Sequence, residues 1–128
     1  MIVLDAGVLI AYLDAEDAHH ERAVTLLARE IDDEFGANSL TLAEVLVVPA
    51  RDNQLDATRA VLDELEVQEL PFPDDTAVTL ALLRAGTGLK MPDCCVLLAA
   101  QQHHARLASF DDRLTQAAGT RDIDTLTS

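Results

Sequence analysis

A chain of 128 residues, 49% of them apolar, has the length of one domain with its own core, and is too apolar to be disordered as a whole. Its 9 Lys and Arg stand against 23 Asp and Glu, a net charge of −14, which excludes binding to nucleic acid or anionic membranes by overall charge; any nucleic-acid contact needs a local basic patch, a metal ion, or both. No apolar run approaches the roughly 18 residues of a membrane span, and the first residues lack the basic region and cleavage site of a signal peptide, so the expectation is a soluble cytoplasmic protein.

The chain opens on Ile2-Val3-Leu4, a short fully apolar strand bounded by Asp5, and residues 6–13 read as a short helix packed against it. After a polar break, Ala23, Leu26, Leu27 and Ile31 recur at three- and four-residue spacing, which predicts an amphipathic helix from His20. Residues 35–39 read as a second strand, and 41–48 as a helix stopping near Pro49. Ala57, Ala60, Val61 and Leu65 give a further helix, residues 67–72 a strand, and Asp74 begins a helix that ends at Gly86 and Gly88. After Pro92, Asp93 opens an apolar helix over residues 94–104; residues 106–110 form a strand, and Asp111 starts the last helix. The tail, residues 119–128, is an edge strand through Ile123 or is loose.

Short strands alternating with helices predict one α/β domain over residues 1–128, a three-layer fold whose short, mostly parallel sheet carries helices on both faces. The two cysteines, Cys94 and Cys95, are adjacent inside an apolar helix. They read as small buried side chains, not as a disulfide or a zinc site.

In an open α/β sheet, ligands bind beyond the C-terminal ends of the strands. Asp5 stands just past the first strand, Asp111 just past the strand ending at Phe110, Asp93 at a helix start, and Glu44 in the first turns of the helix after the second strand. All four are placed to converge. Capping explains each one singly, because Asp is a preferred N-cap and Thr41-x-x-Glu44 fits a capping box; Asp56 and Asp74 read as caps too. Together they are costly: like charges about 4 Å apart repel by about 4 kcal/mol at an effective dielectric of 20, so a converging set calls for protonation or a cation. Oxygen-only ligands suit Mg²⁺ or Mn²⁺, which activate water for attack on a phosphodiester.

At these residues the chain resembles a PIN-domain protein, specifically a VapC-type toxin ribonuclease of a toxin–antitoxin pair. The resemblance is carried by Ile2-Val3-Leu4-Asp5 with Val8-Leu9-Ile10, by Leu42-Ala43-Glu44-Val45-Leu46, by Pro92-Asp93 before Leu97-Leu98-Ala99-Ala100, and by Ser109-Phe110-Asp111. It implies a PIN-like fold and a Mg²⁺- or Mn²⁺-dependent endoribonuclease, usually a homodimer, inhibited by a cognate antitoxin protein. By position, Asp5, Glu44, Asp93 and Asp111 would be the catalytic and metal-binding carboxylates. Asp5 and Asp93 would be the firmest ligands, with Glu44 and Asp111 completing the site directly or through water. Ser109 takes the place of the small hydroxyl residue usual before the last acid. Gly7 departs from the pattern, where Ser or Thr is common.

Arg84, Lys90, Arg106 and Arg113 are candidates for a basic rim that meets RNA. The pairs His19-His20 and His103-His104 read as helix-end or surface residues, since neighbours on a helix point apart. One Tyr and three Phe offer little for stacking a long single strand. Two other functions fit less well. A phosphoacceptor or phosphatase domain would use Asp5 as nucleophile, but Gly7 stands where a second Asp is wanted. A catalytically silent acidic binding module would use its carboxylates only as caps.

Overall fold

The computed structural model describes residues 1–127. Five strands form one sheet in the order β3-β2-β1-β4-β5, every neighbouring pair parallel: β1 (Ile2–Leu4), β2 (Phe35–Asn38), β3 (Gln68–Leu70), β4 (Arg106–Ala108) and β5 (Thr125–Leu126). The predicted sheet is thus met, and it is wholly parallel. β1 lies at its centre, and the two-residue period of a strand sends its side chains to two cores. Ile2 and Leu4 join one core with residues of α1 (Ala6–Leu13), α2 (His20–Arg29), α3 (Ser39–Arg51) and α4 (Leu55–Glu64). Val3 joins the other with residues of α5 (Thr76–Thr87), α6 (Met91–Gln102) and α7 (Asp112–Gly119). A strand buried on both faces has no place for a polar residue, which is why the opening run is apolar throughout.

α6 shows the same logic in a helix, with every residue from Cys94 to Ala100 buried. Both cysteines are free and buried, as expected.

Several boundaries differ from the sequence reading. α3 runs past Pro49 to Arg51; a proline in the last turn removes only one intrahelical N–H bond, so the helix tolerates it there. α5 starts at Thr76, with Asp75 before it at φ 61° and making no side-chain cap bond. Neither Asp74 nor Asp56 is a cap, since α4 is preceded by Gln54. β4 stops at Ala108 and not at Phe110; the Ser109 amide still donates to the Leu126 carbonyl, and beyond it the Asp111 amide turns back onto the Ser109 hydroxyl. The tail supplies the edge strand β5 through Thr125 and Leu126, while Ile123 is buried ahead of it. Ser128, the end of the predicted tail segment, lies outside the described residues.

Arg106 opens β4 at the end of the sheet where the parallel strands begin. Its guanidinium lies 3.0 Å from Glu30 Oε2 and 3.0 Å from Asp33 Oδ2, and the Met1 ammonium is 3.0 Å from Asp33 Oδ1. These donors, Arg106 first, lower the Asp33 carboxyl to about 2. A depressed carboxyl contributes stability above its unfolded value and loses it as pH falls through the folded one. Arg106→Gln is therefore expected to be less stable than wild type in urea unfolding followed by circular dichroism, with the difference full above about pH 4 and closing as pH falls towards about 2.

Candidate active site

The opposite end of the sheet gathers the acidic residues. Asp5 leaves β1 and caps α1: its Oδ1 accepts from the Gly7 amide at 2.5 Å, and its Oδ2 accepts from the Ser109 hydroxyl at 2.5 Å. Ser109 is fully buried, and its Oγ accepts in turn from the Asp111 amide at 3.0 Å. Asp111 caps α7, its Oδ1 taking the amides of Arg113 at 2.9 Å and Leu114 at 3.2 Å. One hydroxyl thus ties the end of β1 to the loop after β4. Gly7 suits its place, since a Cβ there would stand 3.3 Å from Asp5 Oδ1.

Capping accounts for Asp5 and Asp111, but not for the other two. α6 begins at Met91, with Pro92 in its first turn, so Asp93 lies inside the helix and not at its cap. Pro is favoured at that point because its missing N–H would have no intrahelical partner. The capping box at Thr41 does not form either. Asn38 caps α3, its Oδ1 accepting from the Thr41 amide at 2.8 Å, and Thr41 lies inside the helix. Neither Asp93 nor Glu44 takes a hydrogen bond from a described residue.

The other three carboxylates lie near enough to Asp93 for their charges to act on it. Burial raises the Asp93 carboxyl above its ordinary value, and the negative charges of Asp111, Asp5 and Glu44 raise it further, against the pull of Lys90. Burial likewise raises Asp5, with help from Asp111, and outweighs the hydrogen bonds from Ser109 and Gly7. Among the described residues, no three His, Cys, Asp or Glu side chains stand close enough to grip one ion directly. The donor set still fits a hard divalent cation: it is all oxygen, Asp93 and Glu44 take no hydrogen bond from a described residue, and its mutual repulsion is the kind a dication reverses. Mg²⁺ keeps several waters and is usually held by one or two carboxylates, which needs no closed cage.

The expected basic rim is only partly here. Lys90 acts on Asp93, and Arg113 is exposed next to the Asp111 cap. Arg84 instead donates to the Leu89 carbonyl at 2.5 Å, closing the end of α5, and Arg106 lies at the far end of the sheet. Arg106, paired with two carboxylates there, drops out of the rim. His20 Nδ1 lies 2.7 Å from the Ala11 carbonyl oxygen, and His103 ends α6, so these are helix-end residues as expected.

Two features went unread in the sequence. Asn38 is buried beside Thr41, and its Nδ2 has no partner among the described residues. Arg22 places its guanidinium 4.4 Å from the centre of the Phe110 ring, between the site residues Ser109 and Asp111. The only sequence signal for Asn38 was an N-cap residue at the end of a strand; Arg22 had none, because its contact is made across the fold.

The PIN domain family model matches residues 2–120. The chain belongs to the PIN domain family. PIN-domain proteins of the toxin class are generally nucleases. No curated protein sequence matches the chain. Among solved structures, this PIN domain is similar to a toxin–antitoxin complex from Klebsiella pneumoniae, with 22% identity, a TM-score of 0.75, and coverage of 99% of this chain and 97% of the other. It is similar to FitAcB from Neisseria gonorrhoeae at 23% identity and TM-score 0.75, covering 98% and 96%. A sarcin–ricin-loop-cleaving toxin of Mycobacterium tuberculosis aligns at 15% identity and TM-score 0.66, covering 91% and 95%. At these identities the likeness is one of fold. No helix of this PIN domain is long and apolar enough to cross a membrane among the described residues.

Proposed function

We propose that this PIN domain is the toxin of a toxin–antitoxin pair, a cytoplasmic endoribonuclease that hydrolyses RNA phosphodiester bonds with Mg²⁺ or Mn²⁺. The observation that carries the reading is the charge surrounding Asp93: three other carboxylates act on it, and it has neither a capping role nor a hydrogen bond. Such a cluster opposes folding unless a cation offsets it, which makes it a functional arrangement and not a structural one. The likeness in fold to the Klebsiella toxin–antitoxin complex and to the sarcin–ricin-loop-cleaving toxin of Mycobacterium supports the same reading.

Asp5 and Asp93 would hold the ion, with Glu44 and Asp111 completing the site directly or through water. When bound, the ion acidifies water and offsets phosphodiester charge. Ser109 favours the ionised form of Asp5, against the effect of burial, and aims it by donating to its Oδ2. A carboxylate of the cluster positions the attacking water and accepts its proton. Lys90 and Arg113 draw the phosphate towards a chain that otherwise repels it. The whole chain works as one domain and pairs as a homodimer, and the antitoxin sends a basic segment into the acidic groove by charge complementarity.

The phosphoacceptor alternative wants a second Asp two residues after Asp5, and Gly7 stands there. The silent-module alternative draws support from the capping by Asp5 and Asp111, and none from Asp93 or Glu44.

The test is cleavage of total cellular RNA with Mn²⁺, beside a chelator control and Asp93→Asn. Discrete metal-dependent fragments are expected. The variant should lose more than about 100-fold in rate, beyond the 10–100-fold typical of losing an outer hydrogen-bond partner of a ligand. Cleavage by Asp93→Asn at the wild-type rate would refute the mechanism.

A further inference from the structure

We infer that His19, Arg22 and Phe110 form a subsite that seats one nucleotide of single-stranded RNA beside the acidic cluster, the base stacking on the exposed His19 ring and the phosphate pairing with Arg22. The inference rests on the ribonuclease reading and adds to it the place where substrate is held.

Phe110 is the residue between Ser109, which donates to Asp5, and Asp111, so the chain that carries its ring also carries two residues of the site. One part of Phe110 packs into the core shared by α1 and α2, which fixes the ring in place. The His19 ring stands 5.3 Å from it, centre to centre, at an interplanar angle of 47°. Arg22, one turn into α2, lies over the same ring at 4.4 Å. Its Nη2 donates to the Thr127 carbonyl at 2.6 Å, and its Nη1 reaches His19 Nδ1 at 3.3 Å. Both His19 and Arg22 are exposed.

Three physical points turn this cluster into a nucleotide seat. A guanidinium carries five N–H donors, and the two contacts leave others for a phosphate oxygen. Stacking on Phe110 and the Thr127 bond hold the group in one pose before RNA arrives, which lowers the ordering cost of binding. Among the described residues Arg22 is bonded to no carboxylate, whereas Arg106 is paired with two. In a chain of net charge −14, a cation that is fixed, exposed and stacked on the residue that precedes Asp111 is the local basic contact the composition requires. A single ring pair also agrees with the scarcity of aromatics, since it seats one base and not a long strand.

The test measures binding of a mixed-sequence single-stranded RNA 12-mer by fluorescence anisotropy with Ca²⁺ in place of Mn²⁺, over a range of salt. Cleavage of total RNA and the Mn²⁺ shift in melting temperature are read in parallel. Arg22→Gln should bind about tenfold more weakly and lower the slope of log affinity against log salt by about 0.7, the share of one phosphate on a single strand. Arg22→Lys should keep the slope. His19→Ala should bind about 5–10-fold more weakly with the slope unchanged, as loss of a stacking surface does. All three should keep the Mn²⁺ shift of the wild type. Wild-type affinity and slope in both Arg22→Gln and His19→Ala, with RNA still cut, would overturn the subsite and leave the ribonuclease standing. Loss of the Mn²⁺ shift in Arg22→Gln would overturn it as a separate subsite. A wild type that neither binds nor cuts RNA would overturn the ribonuclease reading and the subsite together.

Discussion

Asp93→Asn is expected to melt above the wild type in chelator at pH 7, by about 2–4 °C, the shift that roughly 1 kcal/mol makes in a domain of this size after allowance for screening at a half-exposed group. The sign follows from linkage. A carboxyl raised by folding binds its proton more readily folded than unfolded, so stability falls as pH rises from the ordinary carboxylate value through the raised one. Above that window the penalty is complete, and the amide, which carries no charge, escapes it. Adding Mn²⁺ should reverse the order, because a ligand at 100 times its Kd stabilises the protein that binds it by about 2.7 kcal/mol. Thermal melts in chelator and in Mn²⁺ check both halves. A variant less stable than wild type under both conditions would mean that Asp93 serves the fold, not a cation.

Ser109→Ala should be the most damaging single-atom deletion at the site. The hydroxyl donates to Asp5 and accepts from the Asp111 amide in a fully buried position. Its removal leaves two polar groups short of partners, at a cost of about 1–3 kcal/mol, read by urea unfolding. It also removes the bond that lowers the Asp5 carboxyl, so that carboxyl rises further. Metal binding needs the ionised form, so the pH below which Mn²⁺ affinity is lost should move up in the variant. An unchanged pH profile would show that Ser109 holds the loop and does not tune Asp5.

The layout of the fold was open to reading because its signals are local. A three-residue apolar strand ending at an Asp, helices with regular apolar spacing, and glycines at the end of α5 each say where an element begins or stops. Four motifs in order also sufficed for the family. What escaped depended on choices between neighbours or across the chain. Asn38 and Thr41 are both acceptable caps three residues apart, and only the end of β2 selects Asn38. Pro92 was the sign that α6 starts before Asp93, and reading Asp93 as the cap overlooked that a proline belongs in the first turn. Arg106 was placed at the rim although it opens a parallel strand, and the sheet puts strand starts far from the site. Arg22 meets Phe110 over 88 positions of sequence only because α2 packs beside the loop after β4. No local pattern encodes such a contact.

The most direct measurement is calorimetric titration of the metal-free protein with Mn²⁺ at pH 7, beside Asp5→Asn and Asp93→Asn. The account predicts saturable binding to the wild type that weakens as pH is lowered through the raised carboxyl range, and at least a tenfold loss of affinity in each variant. Binding to the wild type no tighter than to Asp93→Asn would contradict the claim that these carboxylates are assembled around a cation.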